Sequence, residues 1–301
     1  MRFAEAAERI DRASSFGELA DGRELADAYR SWVKLVHPDA VTAAQSATAH
    51  QAFAKLSRLY AARAFAAGDI ADLLPHENGL TKVPRSPADN DLMEAEAEAL
   101  RRLWEKGDPK YRPYAPRLVE SYLHESADRK RRRVNVIQRL DGFVPLSRVR
   151  TPLDWRDAAW MWRRLLVALG WAHRAGVVHG AVLEEHVLIH PAQHGLALVD
   201  WCYSGRRVTA IVRARRDAYP QEVVFSKTAS EATDIYMATG LMTRLIGPGL
   251  PAELRRFAGG CLYDAPRMRP QDAWRLLEEL DELLHHLYGP RRFRPFTLQE
   301  A

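Results

Sequence analysis

Cysteine is scarce: the 301 residues contain two, Cys202 and Cys261. A disulfide scaffold and a four-cysteine zinc site are thereby excluded, and a reducing compartment suits such a chain. No apolar run approaches the roughly 18 residues that crossing a bilayer requires. The opening stretch MRFAEAAERIDRASS has the Ala/Glu/Arg pattern of a helix and lacks the apolar centre of a secretory leader. Charge of one sign is not in great excess, since 44 basic residues stand against 39 acidic ones, a net charge of +5. That balance permits an acidic partner without demanding nucleic acid. Lysine is rare, at seven of the 44 basic residues. A hydrophobic fraction of 47% with 28% charged residues is globular and excludes wholesale disorder. These features predict a cytoplasmic protein with neither a membrane nor a nucleic-acid partner, long enough for one large domain or two ordinary ones.

The first sixty residues read as helical. Leu25, Tyr29, Trp32, Val33 and Val36 share one stripe. That helix must stop near His37, because Pro38 disfavours helical geometry in the residue before it. Phe53, Leu56, Leu59 and Tyr60 form a second stripe, so the two segments predict an antiparallel helical hairpin. Near Gly68 the texture changes. GDIADLL and GLTKVPR are short and punctuated by Gly and Pro, as strands are. DNDLMEAEAEALRRLWEKG predicts a helix capped by Asn90 or Asp91. LVESYLHES and RRVNVIQRL predict two antiparallel strands around the basic run Arg129 to Arg133, which reads as a solvated turn. From Asp154 onward three long helical patterns dominate, with short apolar segments HVLIH and LALVDW between the first two. The end, GPRRFRPFTLQEA, reads as a loosely packed tail.

The tripeptide His37-Pro38-Asp39 at the hairpin tip, with Tyr29-Arg30 and Lys34 before it and Phe53, Leu56 and Tyr60 after it, resembles a J-domain, the DnaJ-type co-chaperone module. The resemblance covers about residues 1–63. It implies that His37, Pro38 and Asp39 meet a DnaK-type chaperone and promote its ATP hydrolysis, with Arg30 and Lys34 on a basic docking face. An exposed cationic helix steers toward an acidic surface, which suits that role.

From residue 64 the order of segments resembles a protein kinase, with a small lobe over 64–142 and a large helical lobe over 143–301. GWAHRAGVVHGAVLEEHVLIH followed by LALVDW resembles the long helix, catalytic loop and metal-binding loop. The expected fold class is thus α+β and predominantly helical: a J-type hairpin, then a bilobal kinase-like fold with a reduced small lobe. By the same resemblance, Lys82 stands at the ATP-anchoring strand lysine, and Glu96 is the candidate helix partner, with Glu94 and Glu98 leaving the register open. His179 organises the catalytic loop. Glu222 ends the activation segment, Asp234 begins the buried helix that follows, and Arg269 is the late arginine that pairs with Glu222.

Several chemical parts depart from the family pattern. The catalytic base falls on Ala181, the metal-ligating Asn on His186 and a phosphate-contacting Lys on Leu183, while the metal-binding triplet reads Asp200-Trp201-Cys202. Phosphoryl transfer needs positioned phosphates, a hard cation and a group that orients the nucleophile. A methyl group accepts no proton, and magnesium prefers oxygen to imidazole nitrogen. The glycine-rich loop is represented by Gly68 alone. These departures predict a pseudokinase with no catalytic residue.

Two readings of Lys82, Glu96 and Asp200 stand side by side. In one they hold ATP with Mg²⁺; in the other Lys82 and Glu96 are a structural ion pair and Asp200 caps a turn. The predicted function is an adaptor that recruits a DnaK-type chaperone or another partner to a protein client. The alternatives are an unconventional nucleotidyl- or phosphotransferase using Lys82 and Asp200, and a purely structural interaction protein.

Overall fold

The computed structural model describes residues 3–13, 16–20, 25–38, 41–42, 45–61, 66–77, 79–125 and 129–298. It divides into two compact units, Met1–Val83 and Pro84–Ala301.

The first unit opens with helices α1 (Phe3–Arg12), α2 (Phe16–Ala20), α3 (Leu25–Val36) and α4 (Ser46–Ala61). Helical spacing puts Ala6, Ala7 and Ile10 on the buried side of α1. These residues join Phe16, Leu19, Trp32, Val36 and Leu56 in one core. Trp32 buries its ring and still satisfies its polar end, because Nε1–H donates to the Leu19 carbonyl at 2.8 Å. Tyr29 and Tyr60 stack with centroids 3.9 Å apart, and Tyr29 Oη lies 3.2 Å from Ser57 Oγ. The expected pair of helices is present as α3 and α4, but within a larger helical core. The five residues of α2 are too few to display a period, which is why they were not anticipated.

Strands β1 (Ala66–Ala67), β2 (Ala71–His76) and β3 (Gly79–Pro84) follow. β1 runs antiparallel to β2, with Ala66 opposite Leu73. Period-two alternation buries Leu80, Lys82 and Pro84 on one face of β3.

The second unit begins with α5 (Asn90–Lys106). Its cap is Asp89, not the expected Asn90 or Asp91. A 3-10 turn over Pro87–Asp89, capped by Ser86, leads into the helix and shifts its start. Asn90 is engaged elsewhere: its Nδ2–H donates to the Arg131 carbonyl at 3.0 Å, and its Oδ1 accepts from Arg133 N–H at 2.7 Å. β4 (Leu118–Glu125) and β5 (Arg131–Ile137) form an antiparallel pair, Leu118 opposite Ile137 and Glu125 opposite Arg131, with a bulge between Leu118 and Glu120.

β6 (Val144–Pro145), α6 (Trp155–Arg174), β7 (Val187–His190) and β8 (Gly195–Leu198) come next, with β7 pairing on both sides. Helices α7 (Glu231–Ile246), α8 (Ala252–Cys261) and α9 (Ala273–Tyr288) complete the unit. α8 was not legible, because Gly259-Gly260 weakens the helical pattern of AELRRFAGGC. Gly170 lets α6 approach α9, since a Cβ there would lie 2.6 Å from Trp274 Nε1. The tail differs from the loose segment expected. Arg294 reaches Asp154 at 3.2 Å and Asp157 at 3.1 Å, which ties it to the start of α6. Among the described residues no helix is long and apolar enough to cross a membrane.

Candidate functional site

The site is built on the loop between α6 and β7 and on the turn after β8. Asp234, in the first turn of α7, is fully buried and holds that loop by its backbone. Its Oδ2 accepts from His179 N–H at 2.8 Å and its Oδ1 from Gly180 N–H at 2.8 Å. His173, near the end of α6, donates Nε2–H to Oδ2 at 2.9 Å. One carboxylate thus joins two helices and the loop between them. Gly180 is required where it stands: its φ is +76°, and a Cβ would lie 2.6 Å from the Tyr203 carbonyl oxygen.

His179 is fully buried. Its Nε2–H donates to the Val199 carbonyl at 3.0 Å, and its Nδ1 accepts from Ala181 N–H at 3.2 Å. Each ring nitrogen is used in the neutral tautomer. Burial pushes its pKa down to about 4, against a smaller opposing pull from Asp234.

Ala181 is fully buried and Leu183 nearly so. The Ala181 carbonyl accepts from His186 Nδ1–H at 2.8 Å. His186 Nε2 then faces Asp200, 3.8 Å from Oδ2, and its ring stacks near Tyr203 with centroids 5.8 Å apart. Asp200 adopts the left-handed conformation (φ 60°, ψ 47°), which non-glycine residues enter rarely. It precedes a 3-10 turn over Trp201–Tyr203, but its side chain makes no capping hydrogen bond there. Trp201 is buried, donates Nε1–H to the Leu198 carbonyl at 2.9 Å and meets His179 edge-on at 4.6 Å.

For magnesium the donor set is poor. At the two family metal positions this loop offers one carboxylate and one imidazole nitrogen, whereas Mg²⁺ takes oxygen ligands in near-octahedral geometry. The residues present therefore do not fit a magnesium-nucleotide centre of the ordinary kind. Glu184 and Glu185, the remaining carboxylates of the loop, are both held by Arg215. Arg215 donates Nε–H to Glu185 Oε1 at 2.7 Å, and its NH2 reaches Glu184 Oε1 at 2.5 Å.

Glu222, after the turn over Arg213–Ala218, is paired with Arg269. The pair is bidentate, at 2.6 and 3.1 Å, and the Arg269 side chain is fully buried. The guanidinium also donates to the Tyr263 carbonyl at 2.6 Å and the Asp264 carbonyl at 2.9 Å, and lies 4.4 Å over the Tyr236 ring. Thr233 Oγ1–H donates to Glu222 Oε1 at 3.0 Å.

On α5 Glu96 is buried, while Glu94 and Glu98 are exposed. Asn135 on β5, fully buried, donates Nδ2–H to Glu96 Oε2 at 3.0 Å and to the Met93 carbonyl at 2.8 Å. Sequence reasoning passed over Asn135, although a lone amide in the apolar strand VNVI is a signal of a buried polar contact.

In the first unit Lys82 is buried, at 2% exposure, and Gly68 N–H donates to the Ala71 carbonyl at 2.9 Å. Arg30 and Lys34 are exposed on α3. His37 and Pro38 are half-buried, His37 lying edge-on to Phe53 at 5.2 Å. Asp39 lies outside the described residues.

A long helix, a loop pinned by a buried aspartate, a strand pair, a segment closed by the Glu222–Arg269 pair and a terminal group of helices make up a protein-kinase-like fold. The solved structures that match include the kinase domain of PknI from Mycobacterium tuberculosis, with a TM-score of 0.51 and 17% identity over 74% of this chain and 94% of that one. At that identity the likeness shows the fold alone. No family model matches the chain, and no curated protein matches it.

Proposed function

We propose that the chain is a non-catalytic adaptor in which the kinase-fold unit recognises a protein client and the helical unit recruits a DnaK-type chaperone. The observation that carries the non-catalytic half is the filling of the loop. Ala181 stands buried at the base position, and His186 commits one nitrogen to the Ala181 carbonyl. Both neighbouring glutamates are bound to Arg215. What remains rigid is the framework, Asp234 under the loop and Arg269 on Glu222. A kinase fold stripped of its proton acceptor keeps its surfaces and can serve as a recognition module.

The recruiting half rests on the J-domain resemblance of His37, Pro38 and Asp39 and on the exposed cations Arg30 and Lys34. Carrying both surfaces on one chain raises the effective concentration of chaperone at the client. Asp39→Asn should abolish stimulation of a DnaK-type ATPase while leaving the circular dichroism spectrum unchanged. Equal stimulation by the two proteins removes the co-chaperone reading.

A second reading is favoured by Asp200, whose left-handed backbone is the kind of strain kept at working sites. It makes the chain an unconventional nucleotidyl- or phosphotransferase that uses Lys82 and Asp200.

A further inference from the structure

A cleft of about 520 Å³ opens in the second unit, away from the catalytic-loop region. Its walls come from Trp104 on α5, the turn over Pro109–Tyr114, the segment after β5, Arg164 on α6, and His194 between β7 and β8. That volume lies in the range of small-molecule sites, roughly 300–1,000 Å³. Lys110, Arg112 and Arg164 line it, and no acidic residue does. Among the described residues none of these three cations meets a carboxylate within ion-pair distance.

The cations are held by aromatic groups instead. Arg112 lies 4.8 Å over the Trp104 ring and donates to the Trp104 carbonyl at 2.8 Å. Arg164 donates to Tyr114 Oη at 2.9 Å. Lys110 lies 5.3 Å over the Tyr111 ring.

Two buried polar atoms on lining side chains, Trp104 Nε1 and Arg112 Nε, have no partner among the described residues. His194 is itself nine-tenths buried, stacks on Trp160 at 4.2 Å and holds a positive φ of 52°. Such strain at a turn persists where the surroundings enforce it, often at binding sites. Burial and, after it, the neighbouring Arg164 push the His194 pKa down, against a backbone hydrogen bond with Arg294.

We propose that this cleft binds a small planar organic anion, an aromatic carboxylate or phosphate monoester. Its oxyanion meets Arg112 and the other cations, and its ring lies among Trp104, Tyr114 and Phe143. Guanidinium and ammonium N–H groups suit an acceptor-rich head, and charge-assisted hydrogen bonds are the strong ones. Aromatic walls suit a flat apolar body.

The test is a titration of the full chain by thermal denaturation and tryptophan fluorescence, with phenyl phosphate and benzoate as probes and benzyl alcohol and inorganic phosphate as controls. At about ten times its Kd either aromatic anion should raise Tm by roughly 2–4 °C. Which of the two binds more tightly distinguishes the phosphate head from the carboxylate. Arg112→Gln should weaken binding by about tenfold or more, the scale of one lost charge-assisted hydrogen bond. Lys110 is exposed, so Lys110→Gln reports on the site without disturbing the fold. No shift with either anion at about 10 mM, where even millimolar binding is visible, overturns the proposal. Equal shifts from benzyl alcohol or inorganic phosphate, or a Lys110→Gln protein that titrates as the parent does, overturn it too.

Discussion

Replacing Asp234 by alanine removes a carboxylate that three donors share. His179 N–H and Gly180 N–H, each at 2.8 Å, lose their acceptor inside the protein, and His173 loses its partner on α6. A buried donor left unpaired costs about 1–3 kcal/mol, and hydrogen bonds to a charged acceptor lie at the upper end. Two such amides and one imidazole put the loss at about 4 kcal/mol, a large share of an ordinary stability of roughly 5–15 kcal/mol. Asparagine is nearly as damaging. Its oxygen can serve one amide, but its NH₂ then faces the other donor. The assay is urea unfolding followed by the fluorescence of the buried Trp162, Trp171 and Trp201. With a slope of about 2–3 kcal/mol per molar urea, the midpoint should fall by roughly 1.5–2 M. A midpoint within about 0.3 M of the parent would refute the claim that Asp234 is the post under the loop.

His179 carries a pH dependence. Its folded pKa is depressed to about 4 from the ordinary 6.5, so the unfolded chain takes up a proton first as pH falls. The stability of the neutral ring is fully present above pH 6.5 and drains away toward pH 4, at about 1.4 kcal/mol per pH unit. His179→Gln should flatten the urea midpoint between pH 7 and pH 5 relative to the parent; equal pH slopes would contradict the assignment. Arg269→Ala should cost about 3–5 kcal/mol, because it strands Glu222 and two carbonyls. Limited proteolysis after Lys227 should accelerate in step, and an unchanged cleavage rate would count against the latch.

The large elements were legible because their apolar periods are long and regular. α5, α6, α7 and α9 each show a repeated stripe; the β4–β5 pair was also legible, but the basic run read as a turn is partly strand, since Arg131 to Arg133 lie on β5 and pair with β4. What escaped was set by tertiary contacts. Asn90 abandons the cap of α5 to bond the backbone of β5, which no local pattern announces. α2 is too short to show a period, and α8 is diluted by glycines. On α5, the difference in burial between Glu96 and its neighbours Glu94 and Glu98 is set by the packing of the helix and not by the run of glutamates itself. Arg215 was invisible as a partner of Glu184 and Glu185, since some thirty residues separate the donor from its acceptors. The tail was read as loose because its composition is polar, yet Arg294 finds two aspartates at the start of α6.

The most direct measurement is incubation of the purified chain with ATP labelled at the α or the γ phosphorus, with Mg²⁺ and separately with Mn²⁺, in the presence of a generic protein acceptor. The account predicts no transfer of phosphate or adenylate above the background of an Asp200→Ala protein. Covalent labelling by either isotope that disappears in Asp200→Ala would contradict it and make the chain an enzyme.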